Sequence, residues 1–228
     1  MNIEVLNKVD ISALKEQVMQ GRFIKVLPAS VWREYDWTAV RQLMHETGTY
    51  VLPTQELIDY LVREIEGMRT IEIGAGNGVV GRTLGIPITD SCLQRDNKAV
   101  RLHYAICGQP IINYPKDIIK AEAMEAVRRF KPEAVIGCYV THKWRHDTQS
   151  GNNWGIDFER LLSSVKKFVL VGNRVTHRDN PIMSLPHIEE RFPGLITRAG
   201  IDEPTNCVFI WKEERMHPLR EVSCKGKC

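Results

Sequence analysis

The chain has no apolar run near the ~20 residues that a bilayer-spanning helix needs, so no membrane partner is expected. Its first residues, Met1-Asn2-Ile3-Glu4-Val5, lack the basic and apolar regions of a secretory signal. Low-complexity tracts and internal repeats are also missing. So is a strong excess of one charge: 31 Lys and Arg against 28 Asp and Glu leave a formal net charge of +3. That balance is too small to argue for nucleic acid. The six cysteines, Cys92, Cys107, Cys138, Cys207, Cys224 and Cys228, are scattered through a chain too long to need a disulfide scaffold. Reduced thiols and a cytoplasmic location are therefore the expectation. Cys224 and Cys228 form a tail pair with no second pair, which is weak evidence for zinc, and no metal site is assigned.

What is present is ordinary globular material: 228 residues, 43% hydrophobic and 26% charged, enough for one large domain with an extension. Basic residues cluster at Arg128, Arg129 and Lys131, at Lys143 and Arg145, and at Lys166 and Lys167. These read as solvated helix faces, with a slight tilt toward an anionic partner.

Residues 1–68 read as a helical N-terminal extension. Asp10 is placed to cap a helix carrying Ile11, Leu14 and Val18, with Gly21 as its stop. Asp36 is placed to cap a second, with Trp37, Val40, Leu43 and Met44 as the apolar stripe and Gly48 at the end. Trp32, Tyr35 and Trp37 suit packing better than a pocket. Thr54 is the N-cap of a third helix bearing Leu57, Ile58, Leu61, Val62 and Ile65, with Gly67 as the stop.

From residue 69 strands and helices alternate, which indicates an α/β domain over 69–213, followed by a polar tail at 214–228. Strands are expected at 69–73, 86–90, 117–120, 134–140 and 168–172. Leu195–Arg198 and Cys207–Trp211 are expected to form a terminal antiparallel pair. Helices are expected at 79–84, 96–107 (with Val100, Leu102 and Ile106 as its apolar residues), 122–130, 157–165 and 187–192. A long polar loop, from Thr141 to about Gly155, is of a size that is usually functional or mobile.

The first strand runs into Glu72-Ile73-Gly74-Ala75-Gly76-Asn77-Gly78-Val79-Val80-Gly81. Glycines at alternate positions allow a tight turn and bring a ligand against bare main chain. The free N–H groups of the next helix face that ligand. Gly76 to Gly81 fits the GxGxxG pattern of a dinucleotide site. That pattern also wants an acid ~20 residues on, whereas Asp90 lies only fourteen positions after Gly76.

With the acid two positions before the first glycine included, Glu72 to Gly78 resembles the glycine motif of the class I S-adenosylmethionine (SAM)-dependent methyltransferase superfamily. The resemblance covers about residues 69–212. It implies a Rossmann-like, doubly wound, mostly parallel seven-stranded sheet whose terminal strand is antiparallel. It implies SAM as cofactor and methyl transfer to an unidentified acceptor as the activity. Glu72 would serve the cofactor's amino-acid end, the turn Gly74, Ala75, Gly76, Asn77 and Gly78 its backbone contacts, and Asp90 the ribose. Glu122 and Ala123 would lie near the adenine. Thr54, at the head of the helix that runs into the glycine strand, is a further candidate for the cofactor side.

Methyl transfer needs an acceptor held in line with an activated methyl, and a base only where the acceptor must lose a proton. Tyr139, at the substrate edge of the fourth strand, and His142, as base, are the candidate catalytic residues. Trp144, Asn152, Asn153 and Trp154 are candidates to stack on a flat acceptor or to cover the site. No Asn-Pro-Pro-Tyr or Asp-Pro-Pro-Tyr sequence follows that strand, so the sandwich of amino-methylating DNA enzymes is absent. Binding or cleavage of SAM without methyl transfer is the main alternative, and an NAD(P)-dependent oxidoreductase the more distant one.

Overall fold

A computed structural model describes residues 9–109 and 111–213. Its N-terminal part contains α1 (Ser12–Val18), a two-strand ribbon of β1 (Met19–Gln20) and β2 (Phe23–Ile24), then α2 (Ala29–Arg33), α3 (Trp37–Thr47) and α4 (Gln55–Ile65). Local chemistry sets the helix ends. Asp36 accepts hydrogen bonds from the Thr38 and Ala39 amides, and Gly48 closes α3 in a left-handed conformation. Thr54 accepts from the Leu57 amide at the head of α4. Asp10 accepts from the Ser12 amide, but Ile11 is the residue at the N-cap. Trp32 is fully buried with Leu14, Val18, Val40, Leu43 and Met44, and Tyr35 and Trp37 pack against that cluster. Val62, expected within the buried stripe of α4, is exposed.

The remainder runs β3 (Thr70–Ile73), α5 (Val79–Thr83), β4 (Thr89–Asp90), α6 (Leu93–Asp96), α7 (Lys98–Ile106), β5 (Ile119–Lys120), α8 (Ala123–Phe130), β6 (Ala134–Cys138), α9 (Phe158–Leu162), β7 (Lys167–Asn173), α10 (Arg174–His177), a 3-10 turn (Pro181–Ser184), β8 (Ile188–Glu190) and β9 (Asn206–Lys212). The main sheet has five strands in the order β3-β6-β7-β9-β8. The β3/β6 and β6/β7 pairings are parallel, and β7/β9 and β8/β9 are antiparallel.

The fold is thus α/β, but the expected seven-stranded, mostly parallel, doubly wound sheet is not formed. β4 and β5 pair in parallel as a separate two-stranded sheet. They are two residues each, and β4 meets β3 only at one bridge, Glu72 to Ile88. The run from Gly78 to Asp90 is too short for a longer strand, and Pro87 within it has no N–H for a ladder.

Both faces of the main sheet are covered, which explains the near-continuous apolar run of β7. Phe168 and Leu170 join Phe158, Leu161, Val127 and Trp211 in one core. Val169 and Val171 join Leu57, Ile58, Leu61, Val79 and Val80 in the other. The alternation is that of strand side chains pointing to opposite faces.

Two further expectations fail. Residues 187–192, expected as helix, hold the edge strand β8, where Ile188 pairs with Ile210. Ile188 and Phe192 are spaced as a helix would space them, but Phe192 stacks on Tyr60 of α4 instead. Leu195–Arg198 is not a strand; Thr197 makes only isolated bridges to Val51 and Gly200. The expected polar tail, with Cys224 and Cys228, lies outside the described residues. Among the described residues no helix is long and apolar enough to cross a membrane.

Candidate active site

Three residues past the middle of β3 the backbone turns left-handed at every second position: φ is +57° at Gly74, +57° at Gly76 and +70° at Gly78. A side chain at Gly74 would also put its Cβ 2.5 Å from Val140 Cγ1. The turn is therefore glycine-dependent for conformation and for packing. Its shape is held by two acids. Asp90 accepts from the Gly76 amide at 3.0 Å and from the Cys92 amide at 2.8 Å. Glu72 accepts from the Gly81 amide at 2.8 Å, and a Cβ at Gly81 would fall 2.5 Å from the same carboxylate oxygen.

Both acids are buried, Glu72 to 1% exposure. Burial pushes the Glu72 carboxyl up to about 7 against the pull of the Gly81 hydrogen bond. Asp90 is also raised by burial, opposed by the Cys92 and Gly76 amides and by hydrogen bonds from Tyr114 and Ser91. Asn77 fastens the turn to the N-terminal part. Its Nδ2 donates to Thr49 Oγ1 at 2.7 Å, and its Oδ1 accepts from the Val79 amide at 3.2 Å.

These groups border a cavity of about 650 Å³, within the ordinary range of small-molecule pockets. Of the residues singled out in the sequence, Glu72, Gly74, Ala75, Gly76, Asn77, Asp90, Glu122, Ala123 and Tyr139 line it together. Asp90 ends β4 opposite Lys120, and Glu122 lies two residues beyond, so the pairing of those short parallel strands brings both acids to the same end of the ribbon.

Gly78, Thr54 and His142 are not in the wall. Gly78 packs beneath the turn against Ile88. Thr54 is occupied as a cap, and its hydroxyl donates to the Gly194 carbonyl at 2.6 Å. His142 is buried with Nε2 3.2 Å from Ser150 Oγ, and desolvation lowers its pKa, holding it neutral near pH 7. The reason is local. Bridges from His142 to Ile156 and from Lys143 to Asn152 extend the segment, so Thr141 and Lys143 face the cavity and His142 faces away. The expected candidate base thus sits behind the wall.

No protein-family model matches the chain, and no curated protein is similar enough to count as a relative.

Tyr139 is the strained residue of the site. Its φ of +57° is left-handed, which costs a non-glycine residue ~1–2 kcal/mol. Several contacts hold it there. Its amide donates to the Val171 carbonyl at 2.8 Å, and its ring meets His177 edge-on at 5.3 Å and Tyr50 at 5.9 Å. His177 is itself fixed: Nδ1 accepts from the Asn173 amide at 3.1 Å, and Nε2 lies 3.2 Å from the Val140 carbonyl. Such strain persists only where the surrounding structure holds it in place.

The rest of the wall comes from residues that sequence reasoning passed over. Val100, His103, Tyr104 and Cys107 of α7 and the turn after it line the cavity, at the i, i+3, i+4, i+7 spacing of one helix face. Leu102 and Ile106, expected as apolar face residues, are 60% and 69% exposed. The spacing of 100, 103, 104 and 107 was the available signal. Tyr50 and Arg198 carry no local signal; they meet because the Arg198 amide bonds the Tyr50 carbonyl at 3.0 Å. Of the candidate covering residues, Asn152 and Trp154 line the cavity and Trp144 does not. Asn152 donates to Tyr104 Oη at 3.2 Å, which ties the long loop to α7.

Proposed function

We propose that the cavity binds S-adenosylmethionine and that the protein transfers its methyl group to an acceptor seated toward Tyr139. The observation that carries this reading is the assembly of Glu72, the Gly74–Asn77 turn, Asp90 and the Glu122–Ala123 pair on one cavity wall. Asp90 accepts from two amides and also from the Tyr114 and Ser91 side chains, so a ribose diol would take the place of those two side-chain donors. The bare turn lets the cofactor approach the backbone, and Glu72 supplies negative charge near an ammonium and sulfonium. Bound there, SAM would supply an activated methyl, and an acceptor lone pair aligned with it would displace S-adenosylhomocysteine, any acceptor proton passing to solvent. The protein's part is alignment, worth several kcal/mol in a well-oriented pair.

One observation favours a second reading, SAM binding or cleavage without transfer: the candidate base His142 is turned from the cavity. Calorimetric titration with SAM, S-adenosylhomocysteine and NAD(P) tests the cofactor; heat with NAD(P) and none with SAM overturns the proposal. Incubating the protein with SAM alone and assaying for methylthioadenosine or homoserine products then separates cleavage from transfer.

A further inference from the structure

The cavity wall carries charge of both signs. Asp90 and Glu122 come from the ends of β4 and β5. Three cations, Arg198, Lys143 and Arg160, also line it. None of these three forms an ion pair among the described residues. Nearby arginines do: Arg145 pairs with Asp147 and Glu159, and Arg33 pairs with Asp202. Arg198 is the most constrained of the three. Its guanidinium lies 4.7 Å from the Tyr50 ring centre and donates to Gln109 Oε1 at 2.7 Å, with a further hydrogen bond to the Tyr50 hydroxyl. A guanidinium has five N–H donors, and it stays charged even though burial depresses its pKa.

Aromatic rings share the cavity with these cations. Tyr50 contacts Tyr139 at 5.9 Å, and His103 contacts Trp154 at 5.2 Å. All four line the cavity. SAM is itself net positive, so a cofactor in place adds to the repulsion among unpaired cations. An anionic second occupant would offset that repulsion.

We infer that the acceptor is a planar aromatic small molecule bearing an anionic group, a carboxylate or a phosphate, with the anion on Arg198 and the ring against the aromatic wall. The inference rests on the cavity being a methyl-transfer site. It also specifies why Arg rather than Lys stands at position 198: a planar fork stacked on Tyr50 presents paired donors to a planar or tetrahedral anion.

The test is calorimetry on the full chain with S-adenosylhomocysteine present, using two matched pairs of probes. One pair is 4-hydroxybenzoate and 4-hydroxybenzamide; the other is uridine 5′-monophosphate and uridine. At least one anion should bind about tenfold or more tighter than its neutral partner, and the pair that shows the preference tells carboxylate from phosphate. Arg198→Gln should remove the preference, and Arg198→Lys should keep part of it; should the glutamine variant fail to fold by circular dichroism, the lysine variant decides. Equal binding of anion and neutral partner, no binding of any probe, or a preference that survives in Arg198→Gln overturns the inference. So does an Arg198→Gln variant that loses affinity for S-adenosylhomocysteine instead, because Arg198 then serves the cofactor's own carboxylate. If the wild-type chain binds no S-adenosylhomocysteine, the cofactor reading falls, and the same probe titrations on the free protein still judge the anion subsite.

Discussion

At the glycine turn the cavity wall is backbone, fixed by two buried acids whose oxygens accept from Gly76, Cys92 and Gly81. At the Tyr139 end it is side chains brought from four separate stretches: Tyr50, Tyr104, Trp154 and Arg198. The first wall tolerates almost no change, because a Cβ at Gly74 or Gly81 has nowhere to go. The second is rings and long basic chains that can adjust. A rigid wall suits a ligand that is always the same, and an adjustable one suits the partner that differs between related chemistries.

The largest effect should come from Asp90→Ala. It orphans two buried amides, at ~1–3 kcal/mol each, so denaturant unfolding should show a loss of about 2–4 kcal/mol, and S-adenosylhomocysteine affinity should fall tenfold or more, about what one charge-assisted bond supplies. Intact affinity in a folded variant would remove Asp90 from the ribose site. The next concerns pH. The Glu72 carboxyl titrates at about 7 when folded, against an ordinary value of 4.5, so the folded state holds the extra proton between them. Its contribution to stability is full below 4.5 and declines as pH rises through 7, by an amount on the order of 3 kcal/mol. Glu72→Gln keeps an acceptor for Gly81 and cannot ionise. Unfolding curves for the two proteins should diverge across that window; parallel curves would show that Glu72 titrates normally.

Gly74→Ala should cost about 1–3 kcal/mol, from a left-handed alanine and crowding against Val140. Val140→Ala in the same chain should recover the crowding part, as a double-mutant cycle in thermal unfolding would read. An additive cycle would mean the wall yields there after all. The smallest effect on the site is expected from His142→Ala. It should cost ~1 kcal/mol of stability through the lost Ser150 contact, yet leave S-adenosylhomocysteine affinity within about twofold. A steep loss of affinity would place His142 in the cavity.

The same contrast governs what was legible in the sequence. Asp36, Gly48 and Thr54 announce helix ends because one side chain or one φ value decides them locally. The glycine turn was legible for the same reason. β4 and β5 were found in place but overextended, since nothing in Ile86–Asp90 shows that only two residues pair. β8 was misread because Ile188 and Phe192 satisfy a helical spacing while serving a sheet edge and the Tyr60 ring separately. The meeting of Tyr50 with Arg198, or of Tyr104 with Asn152, is a product of tertiary folding alone. The unpaired cations became visible only when their neighbours were known.

Glu72 has one more consequence. If the proposed cofactor sets its positive charge against this carboxyl, which is partly protonated at neutral pH, the carboxyl would give up its proton as the ligand binds. Uptake of a cation at this turn is then an exchange of one positive charge for another. The heat of binding should change with the ionisation enthalpy of the buffer, and at equilibrium the acidity of the medium sets the occupancy: below pH 7 hydronium competes for the same carboxylate.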